Sequence, residues 1–87
     1  MHPLVVHCRR APFDVYVGRP SVWGNPFRLR TERERARVVE QYRQWLEGQP
    51  ALLARARGEL RGKVLGCWCA PRPCHADVLA AIANEED

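Results

Sequence analysis

The chain has one methionine, one lysine, no Cys-x-x-Cys pair and no apolar run longer than six residues. Its longest such run, residues 78–83, falls far short of the roughly 20 residues a membrane-spanning helix requires, so no membrane partner is expected. The opening Met1-His2-Pro3-Leu4-Val5-Val6 has no basic segment leading into a long apolar stretch, so no secretory leader is read there. A cytoplasmic location is the expectation that follows. With it go four reduced thiols, Cys8, Cys67, Cys69 and Cys74, rather than a disulfide framework. The missing Cys-x-x-Cys removes the zinc-ribbon and thioredoxin-type readings. Internal repeats, linkers and low-complexity segments are also lacking. At 87 residues the chain is expected to be one domain, 1–87, with one modest core, because folding at this size buries only about two-thirds of the surface.

Charge is unevenly placed. Residues 1–30 carry Arg9, Arg10, Arg19, Arg28 and Arg30 against Asp14 alone, while the rest of the chain balances nine basic with nine acidic groups. The whole net charge of +4 therefore sits in the first third, which points to an anionic partner for that segment. Thirteen of the fourteen basic residues are arginine, whose planar fork suits phosphate and carboxylate. Arginine-rich codon usage explains that ratio equally well, but not the clustering.

Periodicity gives an α/β order. Residues 4–8 form an apolar run stopped by Arg9-Arg10-Ala11-Pro12, and 14–17 alternate polar with apolar, so both read as strands. A loop punctuated by Gly18, Pro20, Gly24, Asn25 and Pro26 follows. Thr31-x-x-Glu34 matches a capping box, and Val38, Tyr42, Trp45 and Leu46 behind it make the stripe of an amphipathic helix over 32–47. Gly48 ends that helix and Pro50 starts another over 50–60. A strand over 63–69 and a closing helix over 74–84, with Leu79, Ile82 and Ala83 inward, complete the chain. The expected fold is a small α/β domain with a short, mostly parallel sheet and three helices. Parallel pairing of 4–8 with 63–69 would bring Arg9 and Arg10 to the same sheet edge as Cys69, Cys74 and His75, where ligand sites of open α/β sheets lie.

Two segments carry candidate chemistry. In Gly18-Arg19-Pro20-Ser21-Val22-Trp23-Gly24-Asn25-Pro26-Phe27, backbone N–H groups, the Ser21 hydroxyl and the Arg19 guanidinium could hold a phosphate, and Trp23 could stack on a base. The plainer reading is a tight turn with Trp23 and Phe27 buried and Asn25 bonding backbone. In Gly66-Cys67-Trp68-Cys69-Ala70-Pro71-Arg72-Pro73-Cys74-His75-Ala76-Asp77, Cys74 sits at a helix start, where the dipole favours a thiolate. His75 could serve as its base, and Asp77 could orient that histidine or cap the helix. Cys67, Cys69, Cys74 and His75 are also four soft ligands, the number tetrahedral zinc needs, though adjacent residues rarely ligate one metal. Packing as small hydrophobes is the plainer reading for Cys67 and Cys69. Trp45 and Trp68 read as core, and the Glu/Arg alternation at 32–37 as a solvated helix face.

At these segments the chain resembles a family of small phage and bacterial proteins catalogued as domain of unknown function 4326. That family is marked by D-V-Y-[IV]-G-R-x-S-x-W-G-N-P-[FY] and, later, L-x-G-K-x-L-x-C-x-C-x-P-x-x-C-H-x-D-x-L. Here these stand at residues 14–27 and 60–79, with Cys8 a departure where relatives show a polar residue. The resemblance implies that Arg19, Ser21, Trp23, Asn25, Cys69, Cys74, His75 and Asp77 belong to one pattern, and it carries no activity with it.

The leading expectation is a domain that binds a nucleotide or another phosphorylated small molecule. Arg9, Arg10, Arg19 and Ser21 would hold the anion, Trp23 and Asn25 would meet the base or sugar, and Cys74 with His75, Asp77 and Cys69 would supply any chemistry. No cofactor is required by this reading. The alternative is a non-catalytic nucleic-acid-binding module with structural zinc on Cys67, Cys69, Cys74 and His75, and a third is an interaction protein whose cysteines only pack. A homodimer would enlarge so small a core.

Overall fold

A computed structural model describes residues 2–85. Strand β1 spans Val5–His7, β2 Val15–Tyr16 and β3 Leu65–Cys67, with helices α1 at Arg35–Glu47, α2 at Pro50–Glu59 and α3 at His75–Ala83. The fold is α/β, a short three-stranded parallel sheet with three helices, as the order of apolar runs predicts. The strands are shorter than the runs that announced them. Each gives way to turns at its carboxyl end, and the residues beyond are free to build a site.

The central strand is β3, flanked by β1 and β2 and parallel to both. Val5 pairs with Leu65 and His7 with Cys67 on one side, and Val15 with Leu65 on the other. With a strand on each edge and α3 packed against it, Leu65, Gly66 and Cys67 are all buried. Asp14 fixes the register of β2, its carboxylate accepting the Val64 N–H at 2.8 Å. Because all three strands run the same way, their carboxyl ends share one edge.

Helix α3 is the hub of the molecule. It packs on β1 and β3 and also against α1 and α2, which meet each other on its far side. That central position explains its sequence, with seven residues from His75 to Ala83 buried and all but His75 apolar. Helix α1 lays Val38, Tyr42 and Leu46 into the core and half-buries Trp45, as its stripe predicts. Its start differs from expectation. Residues Glu32–Glu34 form a tight 3-10 turn, and Thr31 makes no side-chain cap, so the capping box is not formed. Pro50 opens α2, where its missing N–H costs nothing. Gly62, at φ +74°, takes the left-handed turn that leads into β3, and its N–H is held by Asn84 Oδ1 at 2.9 Å. Among the described residues no helix is long and apolar enough to cross a membrane.

At Trp23 the loop after β2 is clasped to this core by a buried bond, in which Tyr42 Oη–H donates to the Trp23 carbonyl at 2.8 Å. Tyr42→Phe leaves that carbonyl without its donor and should cost about 1–3 kcal/mol. Denaturant unfolding of the variant measures this directly, with an unchanged midpoint as the contrary result.

Candidate functional site

The residues just beyond β2 fold into a braced turn. Ser21 donates to the Gly18 carbonyl through both its backbone N–H, at 2.9 Å, and its hydroxyl, at 2.6 Å. Arg19 Nε donates to the Asn25 carbonyl at 2.9 Å and its Nη2 to the Phe27 carbonyl at 3.3 Å, while Asn25 Oδ1 accepts the Phe27 N–H at 2.8 Å. Arg19 and Asn25 thus hold the loop shape as well as lining the cleft it borders. Trp23 faces away from that cleft into the core, with Arg55 lying over its ring at 5.4 Å. The structure thus places Trp23 and Ser21 in the architecture of the turn, outside the cleft wall.

The residues beyond β3 return to the same edge. Strand β3 stops at Cys67, so Trp68 and Cys69 lie in the following turn, not on a strand face. Trp68 was expected in the core and is instead 55% exposed. Its indole N–H donates to Tyr16 Oη at 2.9 Å, and that hydroxyl donates to the Arg19 carbonyl at 2.9 Å, so the two loops are latched together. Each loop also contains a cis proline, at Arg19-Pro20 and Ala70-Pro71. Cys74 caps α3. Its N–H is taken by Asp77 Oδ2 at 3.0 Å and its sulfur accepts the Ala76 N–H at 3.5 Å. Asp77 is therefore the cap and not the orienting partner of His75, and its other oxygen accepts the His2 N–H at 3.0 Å.

What orients His75 is the backbone of the other motif. His75 Nε2 lies 2.7 Å from the Val17 carbonyl. A carbonyl can only accept, so Nε2 carries the proton and Nδ1 presents its lone pair to Cys74 Sγ, 3.3 Å away. Burial lowers the imidazole pKa, which keeps the ring neutral at pH 7, and the Tyr42 ring closes its side edge-on at 5.1 Å.

The thiols divide the proton unequally. Cys74, buried and donating towards Cys67 and Cys69, is pushed above the ordinary thiol range. Cys67 Sγ lies 3.2 Å from Cys74 Sγ, and its pKa drops to about 7 by accepting that donor while burial opposes. Cys69 drops further, to about 5, because it accepts from Cys74 against the cost of burial and also lies beside the Arg35 guanidinium. One S–H cannot serve two sulfurs at once; the geometry gives the Cys74 hydrogen to Cys67, while Cys69 has the Arg35 guanidinium beside it. Cys69 is half-buried while Cys67 and Cys74 are buried, so of the three it is the reachable sulfur, and the one favoured as thiolate by its neighbouring cation. The expectation of a low-pKa thiol at Cys74 is thereby corrected: the helix dipole favours a thiolate there by only about 0.3–1 kcal/mol, which burial and two neighbouring sulfurs outweigh.

Arg35 is the residue that sequence reasoning placed wrongly. Read as part of a solvated face, it is turned inward, its side chain only 12% exposed. Nε and Nη2 form a fork on Glu32 at 2.8 and 2.7 Å, and Nη1 donates to the Pro73 carbonyl at 2.9 Å. The Arg35 fork, with Arg72 at 3.0 Å, holds the Glu32 carboxyl down at about 2. The signal was available: Arg35 precedes Val38 by three residues and Tyr42 by seven, continuing the buried stripe.

These elements enclose a cleft of about 360 Å³ whose wall combines Tyr16, Arg19, Asn25, Phe27 and Leu29 from the first loop and Cys67, Trp68, Cys69, Cys74 and His75 from the second, with Arg35, Val38 and Val39 of α1 as floor. Arg9 is exposed, its guanidinium 5.4 Å from the outer Trp68 ring centroid, and Arg10 is exposed at the same sheet edge; neither lines the cleft. Among the described residues no group of three or more histidine, cysteine or acidic side chains is set to hold a metal. The Cys67–Cys74 separation of 3.2 Å is also shorter than the about 3.8 Å between two thiolates on one tetrahedral zinc.

The chain matches the family described as Domain of unknown function (DUF4326) over residues 6–85 and belongs to it. It is also similar to an uncharacterised 12.4 kDa protein of the nrdA-td intergenic region of enterobacteria phage T4, 35% identical over 86 residues that cover 92% of this chain and 76% of the relative. No solved structure matches it.

Alkylation tests the assignment of the thiolate. With iodoacetamide at pH 6–7 Cys69 should be the fastest of the four cysteines, its rate falling only as the pH drops through about 5. Cys74→Ala removes the donor to Cys69, so the midpoint should rise towards the ordinary value of about 8.5. Fastest reaction at Cys74 would contradict the assignment.

Proposed function

We propose that the protein binds a nucleotide or similar phosphorylated small molecule in this cleft and presents the Cys69 thiolate to it. The observation that carries the reading is the meeting of both family motifs around one cleft at the carboxyl edge of a parallel sheet, with the Cys69 sulfur beside a guanidinium. Tyr16, Phe27 and Trp68 offer aromatic faces of the kind on which a base stacks. Arg19 retains N–H groups beyond those bracing the loop, and Arg9 stands at the rim over Trp68.

The chemistry such a site supplies is nucleophilic attack by sulfur at an acyl or glycosidic carbon. Cys69 needs no separate base, since it is already ionised. When its electron pair forms the bond to carbon, the bond from that carbon to its leaving group breaks. The leaving group departs with the electron pair of the broken bond and takes a proton from water in the open cleft, and the Cys74 S–H loses the charge it was donating to. Cys67 Sγ at 3.2 Å and His75 Nδ1 at 3.3 Å, the latter left open by the Val17 bond, are then the acceptors for that hydrogen. A thiolate kept for chemistry requires a reducing compartment, which suits a cytoplasmic location.

A panel of nucleoside mono-, di- and triphosphates tests this by protection. A ligand that occupies the cleft should slow Cys69 alkylation about tenfold or more at saturation. Trp68→Ala should weaken its binding by about 1–3 kcal/mol, while Cys69→Ser binds normally. Absence of protection by every member of the panel would overturn the reading.

A further inference from the structure

A second concavity, of about 450 Å³, adjoins the cleft and shares Phe27 and Val38 with it. Its wall is unlike the first. Arg28 and Arg30 come from the extended segment between the turn and the 3-10 helix, and Arg37 from the first turn of α1, with Glu34 as the one carboxylate and Gln41 beyond. The backbone explains the grouping. In an extended segment alternate residues face opposite ways, so Leu29 lines the first cleft while Arg28 and Arg30 line the second. On the helix, residues 34, 37, 38 and 41 share one face at i, i+3, i+4 and i+7.

The three arginines differ from the ion-paired ones and, unlike the other unpaired arginines, line one concavity together. Arg35, Arg43, Arg55, Arg57 and Arg72 each have a carboxylate partner, whereas among the described residues Arg28, Arg30 and Arg37 take part in no ion pair. Three exposed guanidiniums line one concave wall with a single carboxylate, Glu34, among them, an excess of positive charge that an anion would balance. Guanidinium forks suit phosphate oxygens in particular. Phe27 and Val38, common to both walls, mark where the arginine concavity adjoins the aromatic cleft.

We propose that this wall is the subsite for the polyphosphate chain of the ligand, so that the preferred class is a nucleoside triphosphate or diphosphate rather than a monophosphate. The inference rests on the nucleotide reading of the cleft for its nucleoside, but the arginine subsite is testable by itself. Calorimetry with inorganic tripolyphosphate at low salt should show binding to the wild-type chain that weakens as salt is raised. The triple variant Arg28→Gln, Arg30→Gln, Arg37→Gln should bind it at least about tenfold more weakly. All three side chains are exposed, so the variant should keep its melting temperature and its Cys69 alkylation rate, which separates loss of the subsite from loss of fold. With nucleotides, the triphosphate should bind about tenfold more tightly than the monophosphate to the wild type and equally to the variant.

Equal tripolyphosphate affinity in both proteins, or no binding to either, overturns the subsite. Binding confined to single-stranded oligonucleotides overturns the small-ligand class. Tripolyphosphate binding lost in the variant, with no nucleotide protecting Cys69, supports the subsite and rejects the nucleoside cleft.

Discussion

A single buried hydrogen bond, from His75 Nε2–H to the Val17 carbonyl at 2.7 Å, joins the two halves of this molecule that matter most. It ties the first residue of α3 to the end of β2, residues 58 apart in the chain. Everything at the sheet edge is arranged around it. The carbonyl fixes the tautomer, the tautomer aims Nδ1 at Cys74, and Cys74 in turn serves the sulfurs of Cys67 and Cys69. A bond to a neutral ring in a dry place is demanding in both directions. Breaking it strands a buried donor and a buried acceptor, each costing about 1–3 kcal/mol.

Electrostatics then locate the reactive sulfur. Glu32 fixes the Arg35 fork from one side, and the cation sits against Cys69 on the other. The fully buried cysteines have no cation and act through S–H and lone pairs, as a hydrogen-bonding relay would. Exposure and charge thus coincide at Cys69, which is what a thiol must have to meet a ligand. Cys74 supplies its proton to this arrangement while capping the helix whose first residue is His75. Asp77 fixes the cap from inside the helix, so its part is to hold Cys74 in place.

Much of the fold was legible because local patterns and packing agree. Val5 and Val6, the Val38–Tyr42–Leu46 stripe and the Leu79–Ile82–Ala83 face each point to the element they form. The parallel pairing of the first and third strands followed from the helices between them, and that pairing brought the cysteine segment to the right edge. What periodicity could not give was where strands stop. Cys69 leaves the strand because β3 ends at Cys67, and the same ending turns Trp68 from expected core to cleft wall. Trp23 took the plainer of its two sequence readings, buried in the turn instead of facing a ligand, with Tyr42, nineteen residues on, anchoring its carbonyl. Arg35 was misread because a charged residue on a helical stripe is ordinarily solvated, and the partners that hold it inward, Pro73 and Cys69, are distant in sequence.

The state of the His75 ring is the most direct test of this account. Long-range proton–nitrogen NMR correlation of the imidazole reads which nitrogen bears the proton and whether the ring titrates. The account predicts a neutral ring with the proton on Nε2 that does not charge as the pH is lowered through about 6.5, the ordinary histidine value. A proton on Nδ1, or a ring that titrates near that value, would contradict it, because the Val17 tie and the open face towards Cys74 would then both be absent.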